Sequence, residues 1–210
     1  MITKIKIINS NLNKEEDIIA IEEEYELFIN NKFIGTFSIS PSHIKEFAIG
    51  HAISEGYVNE IDKVLVDNEK ILVFGSKKIR DLCIKKPNID VIKRVINYNL
   101  ELKYWKLTGC FHWASIFNNN GKFITLIEDI SRSCAVDKVI GYAYLNNYNN
   151  IILKFSGRIF KSIVKKAANS GIKVIISKSP ATDKAIKLAK ERDITLIGFA
   201  REGRFNIYNL

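Results

Sequence analysis

From residue 107 to the C-terminus, short apolar runs alternate with segments of helical period, and this alternation limits the possible folds more than any other feature. Residues 151–155, 172–176 and 194–199 are compact apolar runs of strand length, rich in β-branched residues. Between them, Ile159, Ile163, Val164 and Ala167 recur at helical spacing up to Gly171, and Ala181, Ala185, Ile186 and Ala189 do the same. Upstream, residues 108–117 and 122–127 are expected as strands around the turn Asn118-Asn119-Asn120-Gly121. Ala135, Val136, Val139, Ile140 and Ala143 then mark an amphipathic helix. Strands alternating with helices of this length imply an α/β fold whose largely parallel sheet is covered on both faces.

The first 76 residues follow another pattern. Residues 1–20 are expected as an irregular arm or an edge strand. Tyr25, Leu27 and Ile29 alternate, Asn30-Asn31 supplies a turn, and the run 33–39 returns, which predicts a hairpin. Ser40-Pro41 looks like an N-cap and first helical residue, with Ile44, Phe47, Ala48 and Ala52 on one helix face and Gly56 as the stop. Two further strands fit 61–66 and 70–74. The expected organisation is a small α+β domain over 1–76, a connecting segment over 77–106 with a helix near 90–98, and a core over 107–210.

Charge narrows the partners. The chain carries a formal net charge of +9, and residues 151–210 hold thirteen Lys and Arg against four Asp and Glu, so the whole excess lies there. Such an excess suits an anionic partner (nucleic acid, anionic lipid or a phosphorylated small molecule) or is a solvated Lys-rich surface. Without a helix-turn-helix, RRM or C₂H₂ pattern, nucleic acid is not the expected partner. No apolar run approaches the ~20 residues of a membrane span, the polar N-terminal stretch is not expected to be a signal peptide, and Cys83, Cys110 and Cys134 form no disulfide framework. A cytoplasmic location is expected.

Four segments carry candidate chemistry. In Thr108-Gly109-Cys110-Phe111-His112, a Cys and a His two apart on a strand share a face, where an imidazolium would favour a thiolate. The alternative is a buried Cys beside a hydrogen-bonded His. Residues 128–138, EDISRSCAVDK, place two acids before a Ser-rich helix start with Arg132, either an anion site or ordinary capping by Ser131 or Ser133 with an Asp137 salt bridge. Ser156-Gly157-Arg158 follows a strand and opens a helix, as an anion site or an ordinary turn. Phe199, Ala200, Arg201, Glu202, Gly203 and Arg204 form a turn with two Arg, suited to phosphate and base stacking or simply solvated. A zinc deaminase site is not expected: it needs H-x-E and P-C-x-x-C, and His112-Trp113-Ala114 has no Glu.

Taken in order, these segments resemble the FdhD family of formate dehydrogenase accessory sulfurtransferases. Residues 47–58, FAIGHAISEGYV, look like its L-A-x-G-F-L-x-S-E-G-I-I, residues 108–112 like T-G-[GC]-x-H, and residues 128–138 like E-D-V-G-R-H-N-A-x-D-K. Ser156-Gly157-Arg158 looks like S-[GS]-R, Ser179-Pro180-Ala181-Thr182 precedes a helix, and residues 199–204 look like F-x-x-x-G-R. The resemblance implies a three-layer α/β/α cytidine-deaminase-like core with the smaller N-terminal α+β domain appended, and a homodimer. It implies sulfur transfer from a cysteine desulfurase, through a cysteine persulfide, to the molybdenum or tungsten bis(molybdopterin guanine dinucleotide) cofactor of formate dehydrogenase. On that basis Cys83, with Lys85 and Lys86 beside it, is the first candidate carrier, with Cys110 and Cys134 in reserve. Gly109, His112, Arg132, Ser156, Gly157, Arg158 and the six residues Phe199 to Arg204 are cofactor-binding. The chain departs from the family pattern in lacking its C-x-x-C, and in having Ser131-Arg132-Ser133-Cys134 where the family has G-R-H-N. A non-catalytic chaperone that binds the cofactor is the alternative.

Overall fold

The structure, a computed structural model, describes residues 1–78, 86–201 and 203–210. The N-terminal arm is an antiparallel ribbon of β1 (Ile2–Ile8) and β2 (Lys14–Ala20), more regular than its mixed sequence suggests. β3 (Glu23–Ile29) and β4 (Lys32–Ile39) form the expected hairpin, with Asn30 and Asn31 both left-handed as its tight turn requires. Ser40 does not cap a helix: α1 begins later and spans Ile44–Ser54, because the Ser40 hydroxyl is drawn instead to Asp129, 129 residues into the chain. β5 (Glu60–Asp67) and β6 (Lys70–Ser76) complete a four-stranded sheet of order β4-β3-β6-β5. Leu27, Ile71 and Val73 on that sheet meet Phe47, Ala48 and Ala52 of α1 in one apolar cluster.

The connecting region holds α2 (Ile89–Asn97), capped by the Asn88 side chain, and a short α3 (Tyr104–Thr108). Six strands follow: β7 (His112–Phe117), β8 (Phe123–Asp129), β9 (Ile152–Phe155), β10 (Val174–Ser177), β11 (Thr195–Arg201) and β12 (Arg204–Asn209). Between them lie α4 (Arg132–Leu145), α5 (Lys161–Asn169) and α6 (Asp183–Glu191). The strands form one sheet of order β12-β11-β10-β9-β7-β8.

Only β9, β10 and β11 are mutually parallel, so the sheet is mixed rather than largely parallel. The tight turns after β7 and β11 permit only antiparallel partners, whereas α5 and α6 serve as crossovers. Side chains alternate across the sheet. Leu153, Phe155 and Ile175 pack with α4, α5 and α6, while Ile152, Val174 and Ile176 pack with α2. Helices therefore cover both faces.

α4 is not amphipathic. Every residue from Cys134 to Gly141 is buried, because α4 lies between β7 and β8 on one side and α1 on the other. Asp137 and Lys138, which look like a solvent face in sequence, are 1% and 0% exposed. The two helices cross at glycines: a Cβ on Gly50 would fall 1.7 Å from the Asp137 carbonyl oxygen, and one on Gly141 1.9 Å from that of Glu46.

Candidate functional site

The strand directions bring distant segments to one edge of the six-stranded sheet. The carboxyl ends of β8, β9, β10 and β11 lie there with the amino ends of β7 and β12. His112, Arg132, Ser156, Gly157, Arg158, Phe199, Ala200, Arg201, Gly203 and Arg204 all sit on or next to those ends. The carboxyl edge of an α/β sheet is where backbone N–H groups and loops gather for ligand binding.

The acids of residues 128–138 turn away from this edge. Glu128 accepts hydrogen bonds from the backbone N–H groups of Lys103, Tyr104 and Trp105, at 2.8, 3.0 and 2.7 Å, and so caps α3. Asp129 pairs with the buried Lys138 ammonium at 2.5 Å and accepts from the Ser40 hydroxyl at 2.7 Å. Ser131 caps α4 by accepting from the Cys134 N–H. Asp137 accepts from Lys166 and from the Ser54 hydroxyl, and is hydrogen-bonded to His51 at 3.0 Å. Capping and salt bridging thus account for this segment's acids, and Arg132 is left for the edge.

Arg132 and Arg158 flank the Phe160 ring, their guanidinium carbons 4.5 and 5.2 Å from its centroid. Burial and the Arg158 charge push the Arg132 pKa down. Among the described residues no carboxylate pairs with either. A Cβ on Gly157 would lie 2.7 Å from Arg132 Cδ, so the glycine lets Arg132 lie across the β9–α5 turn.

The Ser156 hydroxyl accepts from the Trp113 N–H and meets His112 Nδ1 at 3.2 Å. Burial and the Arg132 charge lower the His112 pKa against the opposing pull of Asp129, which favours the neutral imidazole. The hydroxyl of Ser179 donates to the Ser156 carbonyl at 2.9 Å, and the Phe199 N–H to the Ser179 carbonyl at 3.2 Å. The ends of β9, β10 and β11 are thereby tied together. Phe199 holds a left-handed φ of 51°, and Arg204 lies over its ring at 5.7 Å.

Two expectations change. Cys110 is not on a strand with His112: α3 occupies 104–108, Gly109 ends it in a left-handed turn, and β7 starts only at His112. Burial and the neighbouring Arg132 charge also disfavour the imidazolium that this reading called for. Cys110 is exposed in the loop just before the edge. Cys134 is buried, and burial followed by the Asp137 charge pushes its thiol up to about 12. Cys83 and Glu202 lie outside the described residues.

On the α2 side of the same edge is an open cleft of about 730 Å³, lined among others by Asn97, Tyr98, Asn99, Lys154, Lys178 and Arg201. That size suits a small organic ligand. Ala200 and Arg201 were expected here; the others were not. A signal existed for Lys154, the lone charge inside the apolar run Ile151-Ile152-Leu153-Lys154-Phe155. Tyr98 and the asparagines follow α2 in a segment whose sequence carries no motif.

Comparison with known proteins places this geometry. The model of the FdhD/NarQ family matches residues 75–210. The chain is 54% identical to "Protein FdhD" of Methanocaldococcus jannaschii, over 99% of this chain and 96% of that one. It is 30% identical to "Sulfur carrier protein FdhD" of Sulfolobus acidocaldarius, over 92% of this chain and 89% of the relative. Among solved structures, a protein of Desulfotalea psychrophila described as a formate dehydrogenase accessory protein superposes with a TM-score of 0.82 and 29% identity, over 100% of this chain and 96% of that one. Family model, near-full-length relatives and shared fold agree, and the chain belongs to the FdhD/NarQ family.

Proposed function

We propose that the protein is a sulfur carrier that serves formate dehydrogenase, taking sulfane sulfur from a cysteine desulfurase and delivering it to the molybdenum or tungsten bis(molybdopterin guanine dinucleotide) cofactor. The observation that carries this reading is the gathering of Arg132, Arg158, Arg201 and Arg204 at one sheet edge, with Phe160 and Phe199 beside them. Guanidinium groups next to aromatic faces, with no carboxylate partner among the described residues, are what a phosphate-rich nucleotide client needs. The exposed Cys110, two residues before His112, supports a carrier at the edge of that client site, and Cys83 is the other candidate. In the carrier step a cysteine thiolate attacks the terminal sulfur of the donor's persulfide. A new S–S bond forms, the donor's S–S bond breaks, and the donor leaves as its thiolate. When the terminal sulfur passes to the client, the carrier thiolate is regenerated.

Arg132 and Arg158 would hold a client phosphate, and the Ser156–His112 pair a neutral hydrogen-bonding wall beside it. The finer reading of the fold, a cytidine-deaminase-like α/β/α core acting as a cytoplasmic homodimer, is part of the proposal; helices on both sheet faces support it. A chaperone that holds the cofactor without covalent chemistry is the second reading, favoured by the absence of C-x-x-C.

Complementation separates the two. In a strain lacking its own accessory gene, Cys83→Ser or Cys110→Ser is expected to abolish formate dehydrogenase activity. Full activity with each substitution and with both together would refute the carrier and leave the chaperone.

A further inference from the structure

Lys154 is 2% exposed, yet it forms no salt bridge among the described residues. Its ammonium donates to three backbone carbonyls, Val95 at 2.7 Å, Ile96 at 2.9 Å and Tyr98 at 3.0 Å. These are the last carbonyls of α2 and the first of the chain that leaves it, so the amine fastens one wall of the cleft to the central strand. Its three donors are used, and the helix C-terminus offers only a partial negative charge. The hydrogen bonds are satisfied while the charge is not.

The groups facing it deepen the imbalance. Lys178, just past the end of β10, and Arg201, at the end of β11, line the same cleft, and both carry basic side chains. The α2 segment presents the backbone carbonyls of Val95, Ile96 and Tyr98, and on β7 the Ser115 hydroxyl bonds the Lys154 carbonyl oxygen rather than its amine. Among the described residues, three positive groups share one cleft with no carboxylate lining it.

We propose that anion binding in this cleft is coupled to a proton on Lys154, which acts as a positioning residue: the ligand supplies the missing counter-charge, and the charged amine in turn holds the 96–98 wall in place. This rests on the reading of the edge as a phosphate-bearing ligand site. Burial, with the Lys178 charge, brings the Lys154 pKa to about 8, so the amine is part-neutral in the free protein just above neutral pH. An anion in the cleft pulls the proton back, and by linkage the anion binds more weakly wherever the free protein has lost that proton.

Stability runs the other way. The unfolded chain keeps the lysine proton to about pH 10.4, so between the two values the unfolded state binds more protons and Lys154 makes the fold more stable as pH rises. Weaker binding in that window is therefore not unfolding.

The test is calorimetry of the full chain with GDP, in buffers of different ionisation enthalpy. At pH 8.5 about half a proton or more is expected to be taken up per GDP bound, with affinity falling about threefold from pH 7.5 to 8.5. Lys154→Arg, which stays charged, should bind GDP without that uptake and without the pH slope. GDP binding with no proton uptake, or uptake unchanged in Lys154→Arg, overturns the coupling alone. No GDP binding at any pH overturns the ligand site and the coupling together.

Discussion

Asp137 is fully buried among groups from three helices, with Lys166 of α5 at 2.8 Å and His51 and Ser54 of α1 at 3.0 and 2.6 Å. Burial alone would raise its pKa, but the Lys166 ammonium and the His51 hydrogen bond override that and hold it below the ordinary carboxyl range. Glu55 is held low in the same way by Lys165 and Lys166, against its own burial. Both carboxylates thus add stability that is complete above the unfolded pKa values of about 4 and is lost as pH falls through their lower folded values. Urea unfolding at falling pH should show this loss below about pH 4, and Asp137→Asn should flatten it. At pH 7 the same substitution leaves Lys166 buried without its main partner, at an expected cost of about 3–5 kcal/mol. A cost near zero would mean that the pair is not buried as described. In sequence an Asp137 salt bridge was legible, but not that Asp137 and Lys138 belong to two separate buried pairs, because chain neighbours on a helix point to different partners. Lys138 meets Asp129 and Asp137 meets Lys166.

At the level of elements, the α1–α4 crossing fixes the four-stranded sheet onto the larger one. Gly50→Ala would place a methyl on backbone that cannot yield, and so would Gly141→Ala. Each is expected to cost about 3 kcal/mol or more, read as a lowered midpoint in urea. The double variant should lose less than the sum, since one parting of the helices relieves both clashes. The short α3 depends on Glu128. With Glu128→Ala its three capped N–H groups lose their acceptor, and hydrogen exchange should speed at Lys103, Tyr104 and Trp105 while α4 stays protected. Unchanged exchange there would contradict the capping role. The later helices and parallel strands were legible because their apolar period is unmixed. α3 was not, because it straddles the end of the expected connecting segment, its Trp105 and Leu107 are exposed and set no helical apolar face, and nothing in sequence announces a cap 23 residues away.

For the whole molecule, the positive charge has two destinations. Arg132, Arg158, Arg201 and Arg204 gather at the sheet edge, whereas Lys161, Lys184 and Lys187 line a shallow surface groove near α5 and α6. Arg132→Ala and Arg158→Ala are each expected to weaken GDP binding about tenfold or more, and Lys184→Ala to leave it unchanged. Equal effects from all three would mean a diffuse field rather than a site. The motifs made the edge legible before the fold was known, since each falls at a strand end. The cleft was not legible, because it is built from the far side of the sheet by a segment with no motif, and the lone charge of Lys154 inside its apolar run marks one residue without saying what faces it. What joins these observations is the claim that a cysteine of this chain, Cys110 beside the edge or Cys83, carries sulfur for the client bound there. Mass spectrometry after incubation with a cysteine desulfurase and cysteine tests it directly: the account expects an added mass of ~32 Da, one sulfur atom, on Cys83 or Cys110 and none on Cys134, and the absence of the adduct from both would contradict it.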